Sequence, residues 1–288
     1  MIQKDSSSVS RFGGLIVLLL ISSMVLAQKK PRSKNPLESF LDTQFWLGLK
    51  MGVNYTQAFP ETRNTGFSPI DYSADSLQKS YDDFALPGAH MGLEMNFYHR
   101  GFSASFQPAY KRSRYKYNSA LEWIGEQSAN RFETRYDVEQ RLDLIELPLM
   151  IKYDVIQSGK IRPFVMVGGF HTLVISAQKD VKITQTDYSS GNPLTSSGGT
   201  TTLGVKDAFK NFSGVSGGIG VNLDYWNIRT VFEINYKHSL TSATQPNIQQ
   251  NELASLGETN DEIFLRDFSV SLGFVFPFRF IDQQFKAY

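Results

Sequence analysis

The stretch Phe45-Trp-Leu-Gly-Leu-Lys-Met-Gly-Val-Asn-Tyr55 decides the fold class of this chain. Its odd positions carry large apolar side chains, and its even positions after Trp46 carry glycine, lysine or asparagine. A repeat of two residues is the period of a β-strand, because successive side chains point to opposite faces of a sheet. The stretch therefore predicts a strand with one apolar face and one mostly polar face.

Seven further segments alternate in the same way, which brings the predicted number of strands to eight. They lie at residues 88–98, 102–111, 143–153, 163–175, 212–225, 228–236 and 264–276. Segment 163–175 is apolar on both faces, so the pattern does not orient it. No amphipathic helix of useful length competes with these strands.

The N-terminal residues have the pattern of a secretory signal peptide. Basic residues precede the apolar run Leu15–Ile21, and Val25 and Ala27 occupy the small-residue positions before a cleavage site. We expect cleavage between Ala27 and Gln28. The alternative, a membrane anchor, is disfavoured because the run is well short of the about 20 residues of a spanning helix. The predicted organisation is a signal peptide at 1–27, a periplasmic linker at 28–44, a barrel at 45–280 and a periplasmic tail at 281–288.

Composition excludes several classes of function. The 288 residues contain no cysteine, which excludes disulfides, Cys-ligated metals, a thiol nucleophile and a lipoprotein anchor. The formal charge of +1 gives no electrostatic basis for binding nucleic acid. No nucleotide, phosphate-loop or metal-binding motif is present, so we expect no cofactor.

Alternation alone is also typical of a soluble β-sandwich, and three features favour a membrane barrel instead. Predicted strands of ten residues or more exceed the about five to six of globular proteins. Aromatic residues gather at strand ends, as in membrane girdles. Connections alternate between short ones at 99–101, 154–160 and 226–227 and long ones at 56–87, 118–138, 177–210 and 241–262. We predict an eight-stranded antiparallel up-and-down transmembrane β-barrel in the bacterial outer membrane, with short periplasmic turns and long extracellular loops.

The polar faces of these strands would then line the barrel lumen. Eight strands leave an interior just wide enough for side chains to fill. The predicted polar network of the lumen consists of Lys50, Glu94, Lys111, Glu146, Lys152, Arg229, Glu233, Lys237 and Asp267. Two interpretations stay open, a selective pore or proton path and a packed core of paired charges. Five basic against four acidic residues favour the packed core, because buried charges need partners.

Several motifs resemble the PorT family of outer-membrane β-barrels. They are Leu144-Ile-Glu-Leu-Pro-Leu-Met-Ile-Lys-Tyr153, Arg162-Pro-Phe164, Gly168-Gly169, Gly48-Leu-Lys-Met-Gly-Val-Asn54, Glu233-Ile-Asn-Tyr236 and Ser271-Leu-Gly-Phe-Val-Phe276. The resemblance covers the mature chain strand by strand. It implies an eight-stranded outer-membrane barrel of a Bacteroidetes-type bacterium with both termini in the periplasm. Because the family's namesake assists type IX secretion, the resemblance also implies an accessory role in secretion as one hypothesis.

Enzymatic activity is not expected. Barrel deacylases bring a histidine and a serine to one face, but His238 and Ser239 are adjacent and so point to opposite faces. Omptin-like proteases combine acidic residues and a histidine at the outer rim, whereas His90 and His99 are expected near the periplasmic end. The acidic residues of the first long loop are more simply explained as solvated carboxylates.

The loops give weaker signals about partners. The basic run Lys111-Arg-Ser-Arg-Tyr-Lys116 either contacts lipopolysaccharide phosphates or is a solvated strand end. Residues 186–202 are rich in serine, threonine and glycine and predict a mobile loop. Expected partners are outer-membrane lipid and lipopolysaccharide, with secretion-system or periplasmic proteins as further candidates. The function hypotheses are a non-enzymatic structural or interaction barrel, a type IX secretion accessory and a small-solute channel.

Overall fold

The computed structural model describes residues 43–62, 79–124, 131–157, 159–189, 191–225, 228–245 and 261–278. The strands in this part of the chain are β1 (Thr43–Thr62), β2 (Ser80–Tyr81), β3 (Pro87–His99), β4 (Phe102–Phe106), β5 (Ala109–Ile124), β6 (Arg131–Asp154), β7 (Ile161–Asp187), β8 (Leu194–Gly204), β9 (Phe212–Tyr225), β10 (Ile228–Ser239) and β11 (Glu262–Pro277). One 3-10 turn, Lys206–Ala208, precedes β9. No helix in these ranges is long and apolar enough to cross a membrane.

Antiparallel pairing closes eight strand positions into a ring. The order around it is β1, β3, β4 together with β5, β6, β7, β9, β10 and β11, and β11 pairs back onto β1. β4 and β5 form one barrel strand, because both pair with β3 and with β6 in one continuous register. The ladder is interrupted only at Gln107–Pro108, where proline lacks an N–H group. The predicted eight-stranded antiparallel barrel is confirmed.

The outer face of the ring is apolar. Phe45, Leu49 and Met51 on β1 are each more than half exposed, while their neighbours Trp46 and Asn54 point inward and are buried. Aromatic pairs lie at the end of the ring where β1 begins and β11 ends, for example Phe45 against Phe97 with 4.7 Å between ring centroids. An apolar exterior around a polar interior is the arrangement of a barrel surrounded by lipid.

Short connections lie at the end of the ring where β1 begins and β11 ends. Arg100 and Gly101 join β3 to β4 with φ angles of 47° and 90°, a left-handed turn in which glycine relieves strain at the second position. Residues 226–227, between β9 and β10, lie outside the described part of the chain. Because short turns face the periplasm in outer-membrane barrels, we call this end the periplasmic end and the opposite end the outer end.

The long connections predicted at 118–138 and 177–210 lie beyond the outer end of the ring, but most of their residues are in strands. β5 continues to Ile124, β6 begins at Arg131, and both keep one ladder along this extension. Residues Leu194–Gly204, predicted as part of a mobile loop, form β8 and pair with the far half of β7. Four paired strands therefore extend beyond the outer end of the ring.

The polarity of the two faces reverses in this extension. Inward side chains such as Tyr115, Leu142, Leu144 and Val181 become apolar and are buried in one cluster, together with Phe209 after the 3-10 turn. Burying apolar side chains inward is what a β-structure in water requires. The reversal marks where the strands leave the lipid.

The structure orients β7, which the sequence left open. Phe164, Met166 and Phe170 point inward and are buried, whereas Val165 and Val167 point to the lipid. Further along, the register against β6 shifts by one residue between Asp143 and Leu144. Such a bulge turns later side chains to the other face. Both faces of segment 163–175 are apolar in the sequence because its lumen-facing side chains are mainly aromatic residues and methionine.

Several predicted boundaries fall outside the described residues. The signal peptide, its cleavage site at Ala27 and Gln28, and the tail at 281–288 all do so. The last two residues of the predicted linker, Thr43 and Gln44, belong to β1. The described strands begin at Thr43 and end at Pro277.

Candidate functional site

The lumen contains charged side chains at three successive levels, which we call the periplasmic, middle and outer layers. All nine residues of the predicted polar network lie in these layers. The periplasmic layer is Asp154, Arg162, Asp224 and Arg229; the middle layer is Lys50, Glu94, Lys152 and Glu233; the outer layer is Lys111, Glu146, Lys237 and Asp267. Three members, Asp154, Arg162 and Asp224, were not predicted from the sequence.

Glu233 is the centre of the middle layer. Its carboxylate is fully buried and forms ion pairs with Lys50 and with Lys152. Lys152 also pairs with Glu94 at 2.6 Å. Gln107 connects the two sides of the layer, since it accepts from Lys50 Nζ at 2.9 Å and its Nε2 lies 3.4 Å from Glu94 Oε1.

The outer layer also holds two lysines and two carboxylates, which come from β5, β6, β10 and β11. Lys111 lies 3.3 Å from Glu146 and 2.9 Å from Asp267. Lys237 pairs with the other oxygen of Glu146. Thr56 completes the layer by donating a hydrogen bond of 2.9 Å to Asp267.

The periplasmic layer uses arginines and aromatic rings. Asp224 binds both arginines, with Arg229 Nε at 2.7 Å and Arg162 on the other oxygen. Arg162 also lies 3.5 Å from Asp154. The guanidinium of Arg229 stacks over Trp46 with 4.0 Å to the ring centroid, so that this inward tryptophan contacts a cation.

Each layer holds two cations and two anions and is formally neutral. Isolated charges in such a low-dielectric interior would be very costly, but paired and hydrogen-bonded charges are tolerated. One strand can contribute a charge to every layer because alternate side chains point to the same face. Arg229, Glu233 and Lys237 are four residues apart on β10 and lie in successive layers. The arrangement holds opposite walls of the barrel together through its interior.

Little space is left between the layers. A cavity of about 20 Å³ lies between the middle and outer layers, lined by residues that include Lys50, His90, Glu146 and Lys237. A space of that size accommodates about one water molecule. Above the outer layer, the apolar cluster around Leu142 and Phe209 occupies the lumen. Side chains of the three layers and of the apolar cluster thus occupy the described lumen at successive levels, from the periplasmic end to the outer extension.

Three histidines bear on the catalytic arrangements considered from the sequence. His238 and Ser239 point to opposite faces, as predicted. His90 lies in the lumen beside the outer half, and not near the periplasmic end as expected, with its Nε2 2.9 Å from Ser271. His171 Nδ1 lies 2.8 Å from Ser213 Oγ on the lipid face, a cross-strand pair that the sequence did not suggest. No hydrogen bond joins His171 to a carboxylate there, so the orienting third group of a triad is missing.

The basic run 111–116 divides between the two faces. Lys111 belongs to the outer layer, whereas Arg112 and Arg114 point outward above the lipid band. Arg112 pairs with Asp143 at 2.7 Å and Arg114 with Glu139 at 2.6 Å. These outward cations are thus neutralised by carboxylates of β6. Across the described residues, no group of three or more histidine or acidic side chains could hold a metal ion.

An apolar exterior around a lumen of paired charges defines a transmembrane β-barrel. The family model described as "Outer membrane protein beta-barrel domain" matches residues 26–245, which is most of the chain. The protein belongs to this family and is located in the bacterial outer membrane.

Solved structures similar to this chain include outer-membrane proteins. The attachment invasion locus protein Ail of Yersinia pestis is 8% identical with a TM-score of 0.30, over 81% of this chain and 99% of that one. Neisserial surface protein A gives 11% identity and a TM-score of 0.33, over 81% and 97% of the two chains. The outer-membrane protein AlkL is 12% identical with a TM-score of 0.36, over 88% of this chain and 96% of that one. No curated protein matches the sequence.

Proposed function

We propose that this protein is a non-enzymatic, closed outer-membrane barrel that acts as a structural and interaction component of the cell envelope. The observation that carries the proposal is the filled lumen. Three neutral layers of charge and an apolar cluster occupy the interior along its described length. Buried charged side chains that pair with one another stabilise one shape of the barrel and occupy the space that a solute would need.

The outer extension is the part suited to interaction. β5, β6, β7 and β8 form a sheet that rises beyond the ring, and β8 pairs on one side with β7. The side chains of β8 are almost all exposed. A scaffold in the membrane that supports exposed segments outside it is a common way for barrels to bind partners.

Two narrower functions are alternatives. An accessory role in type IX secretion is supported by the sequence resemblance to the PorT family, and unchanged secretion of cargo proteins after deletion of the gene would remove it. A small-solute channel would need the layers to open.

Solute uptake tests the closed barrel against the channel. We expect proteoliposomes containing the folded protein to swell in a small sugar at the rate of protein-free liposomes, because the cavity between the layers holds about one water molecule. A general porin in parallel liposomes shows that the assay detects permeation. Swelling that rises with the amount of folded barrel would contradict the proposal.

A further inference from the structure

A short row of polar residues interrupts the apolar exterior of the barrel at its outer edge. The row consists of Gln57 on β1, Arg266 on β11 and His238 on β10. Arg266 is the direct cross-strand partner of both other residues. Directly opposed side chains on one face of antiparallel strands are neighbours, so the three lie side by side.

Apolar rows lie on both sides of this polar row. On the periplasmic side, the aromatic residues Tyr55, Phe268 and Tyr236 form the adjoining cross-strand row. On the other side, Phe59 pairs with Phe264. The polar row is therefore at the depth where the acyl chains of the lipid end and its headgroups begin.

Arg266 has no protein counter-charge among the described residues. Its guanidinium carbon lies 4.1 Å from the centroid of the Phe59 ring, and its Nε is buried and has no hydrogen-bond partner. His238 Nδ1 beside it also lacks a partner. Gln57 is engaged elsewhere, because its Nε2 donates to Asp83.

Other outward arginines near this rim are paired. Arg112 contacts Asp143 at 2.7 Å, and Arg141 contacts Asp180 at 3.1 Å. An arginine is charged at all relevant pH values, and an uncompensated charge next to lipid is costly. Arg266 therefore differs from its neighbours in requiring an anion from outside the described protein.

We infer that Arg266, with His238 beside it, binds the phosphate group of an outer-membrane lipid. The two terminal Nη groups of the guanidinium donate paired hydrogen bonds that match phosphate oxygens, and Nε2 of the imidazole supplies another donor. Stacking on Phe59 holds the guanidinium in place, and the aromatic row of Phe268 and Tyr236 contacts the acyl chains. The phosphate belongs either to lipid A or to a glycerophospholipid, which present the same chemistry at this depth.

Native mass spectrometry of the full chain in mild detergent tests this inference. The probes are lipid A, dephosphorylated lipid A, phosphatidylglycerol and diacylglycerol. We expect the phosphorylated member of at least one pair to remain bound and its phosphate-free partner to dissociate. The pair that shows the difference identifies the source of the phosphate. Equal retention within both pairs would overturn the inference.

Arg266→Gln and Arg112→Gln form a matched comparison, since both side chains point outward at the outer rim. Arg266→Gln should weaken retention of the phosphorylated lipid about tenfold, as expected for loss of charge-assisted hydrogen bonds. Arg112→Gln should leave retention unchanged, because Arg112 is already bound to Asp143. A retained heat-dependent gel shift shows that each variant is folded. Wild-type retention by a folded Arg266→Gln variant would contradict the site.

Discussion

Replacing Glu233 by glutamine should destabilise the barrel by about 3–5 kcal/mol, the cost of removing one partner from a buried ion pair. Glu233 is fully buried and is the shared anion of Lys50 and Lys152. Glutamine keeps the volume of the side chain but leaves the middle layer with one uncompensated positive charge. Urea titration of the folded protein in lipid vesicles, followed by the heat-dependent gel shift, measures the change in unfolding free energy.

Glu139→Gln is the matched control for this prediction. Glu139 also contacts two basic side chains, Arg114 and Arg141, but it lies on the exposed outer face of β6. Exposed ion pairs contribute about 0–1 kcal/mol, so the control should change stability little. The double variant Glu233→Gln with Lys152→Met restores neutrality and should recover part of the loss. Equal costs for Glu233→Gln and Glu139→Gln would show that the middle layer does not depend on charge balance.

Introducing arginine at Leu149 should cost about 2–4 kcal/mol, the penalty for a cation on the lipid face near the bilayer centre. Leu149 lies on β6 between Ile145 and Tyr153, and its side chain is 62% exposed on the apolar outer face. If Leu149 faced water, its replacement by arginine would change stability little. Because Leu149 faces lipid, the replacement should be costly. The same urea titration measures the difference.

Ser197→Arg on β8 provides the comparison, because that side chain is exposed beyond the outer end of the ring. A surface substitution in water should change stability by no more than about 0.5 kcal/mol. Native Arg141 points outward on the same strand as Leu149 and is bound to Asp180, so β6 itself tolerates arginine above the lipid. Equal effects at positions 149 and 197 would mean that the apolar face is not in a membrane.

The barrel was predictable from the sequence because most of its strands, with the exception of β7, alternate apolar and polar side chains with a period of two. Lys50 and Glu94 could be assigned to the lumen on that pattern alone, since polar residues on the inner face stand out against an apolar outer face. Asp154 and Arg162 were missed for a physical reason. Asp154 is the last residue of β6, and Arg162 is the second residue of β7, where the next inward side chains are Phe164 and Met166.

The outer extension could not be predicted from the same rule. There the inner face becomes apolar and the outer face becomes charged, as at Leu142 and Arg141, so the pattern of β6 changes sense within one strand. The alternation continues, but the apolar face points outward within the lipid and inward beyond it. β8 was missed because serine, threonine and glycine favour loops locally, while pairing with β7 decides its conformation.

The motifs that resemble the PorT family contain several of the charged residues that form the layers. Glu146 and Lys152 come from one of these motifs, Arg162 from a second and Glu233 from a third, and each forms an ion pair in the lumen. The sequence segments that carry the resemblance therefore also supply the interior charges. A glutamate or lysine at these positions is explained by pairing across the barrel, without a transported substrate.

Planar-bilayer recording of the folded wild-type protein tests the central claim most directly. A lumen filled by three neutral layers and an apolar cluster predicts a baseline indistinguishable from that of a protein-free bilayer. The protein's heat-dependent gel shift establishes that the barrel is folded before it is added. Steady unitary currents in proportion to the amount of folded protein would contradict the claim and show that the layers leave an open path.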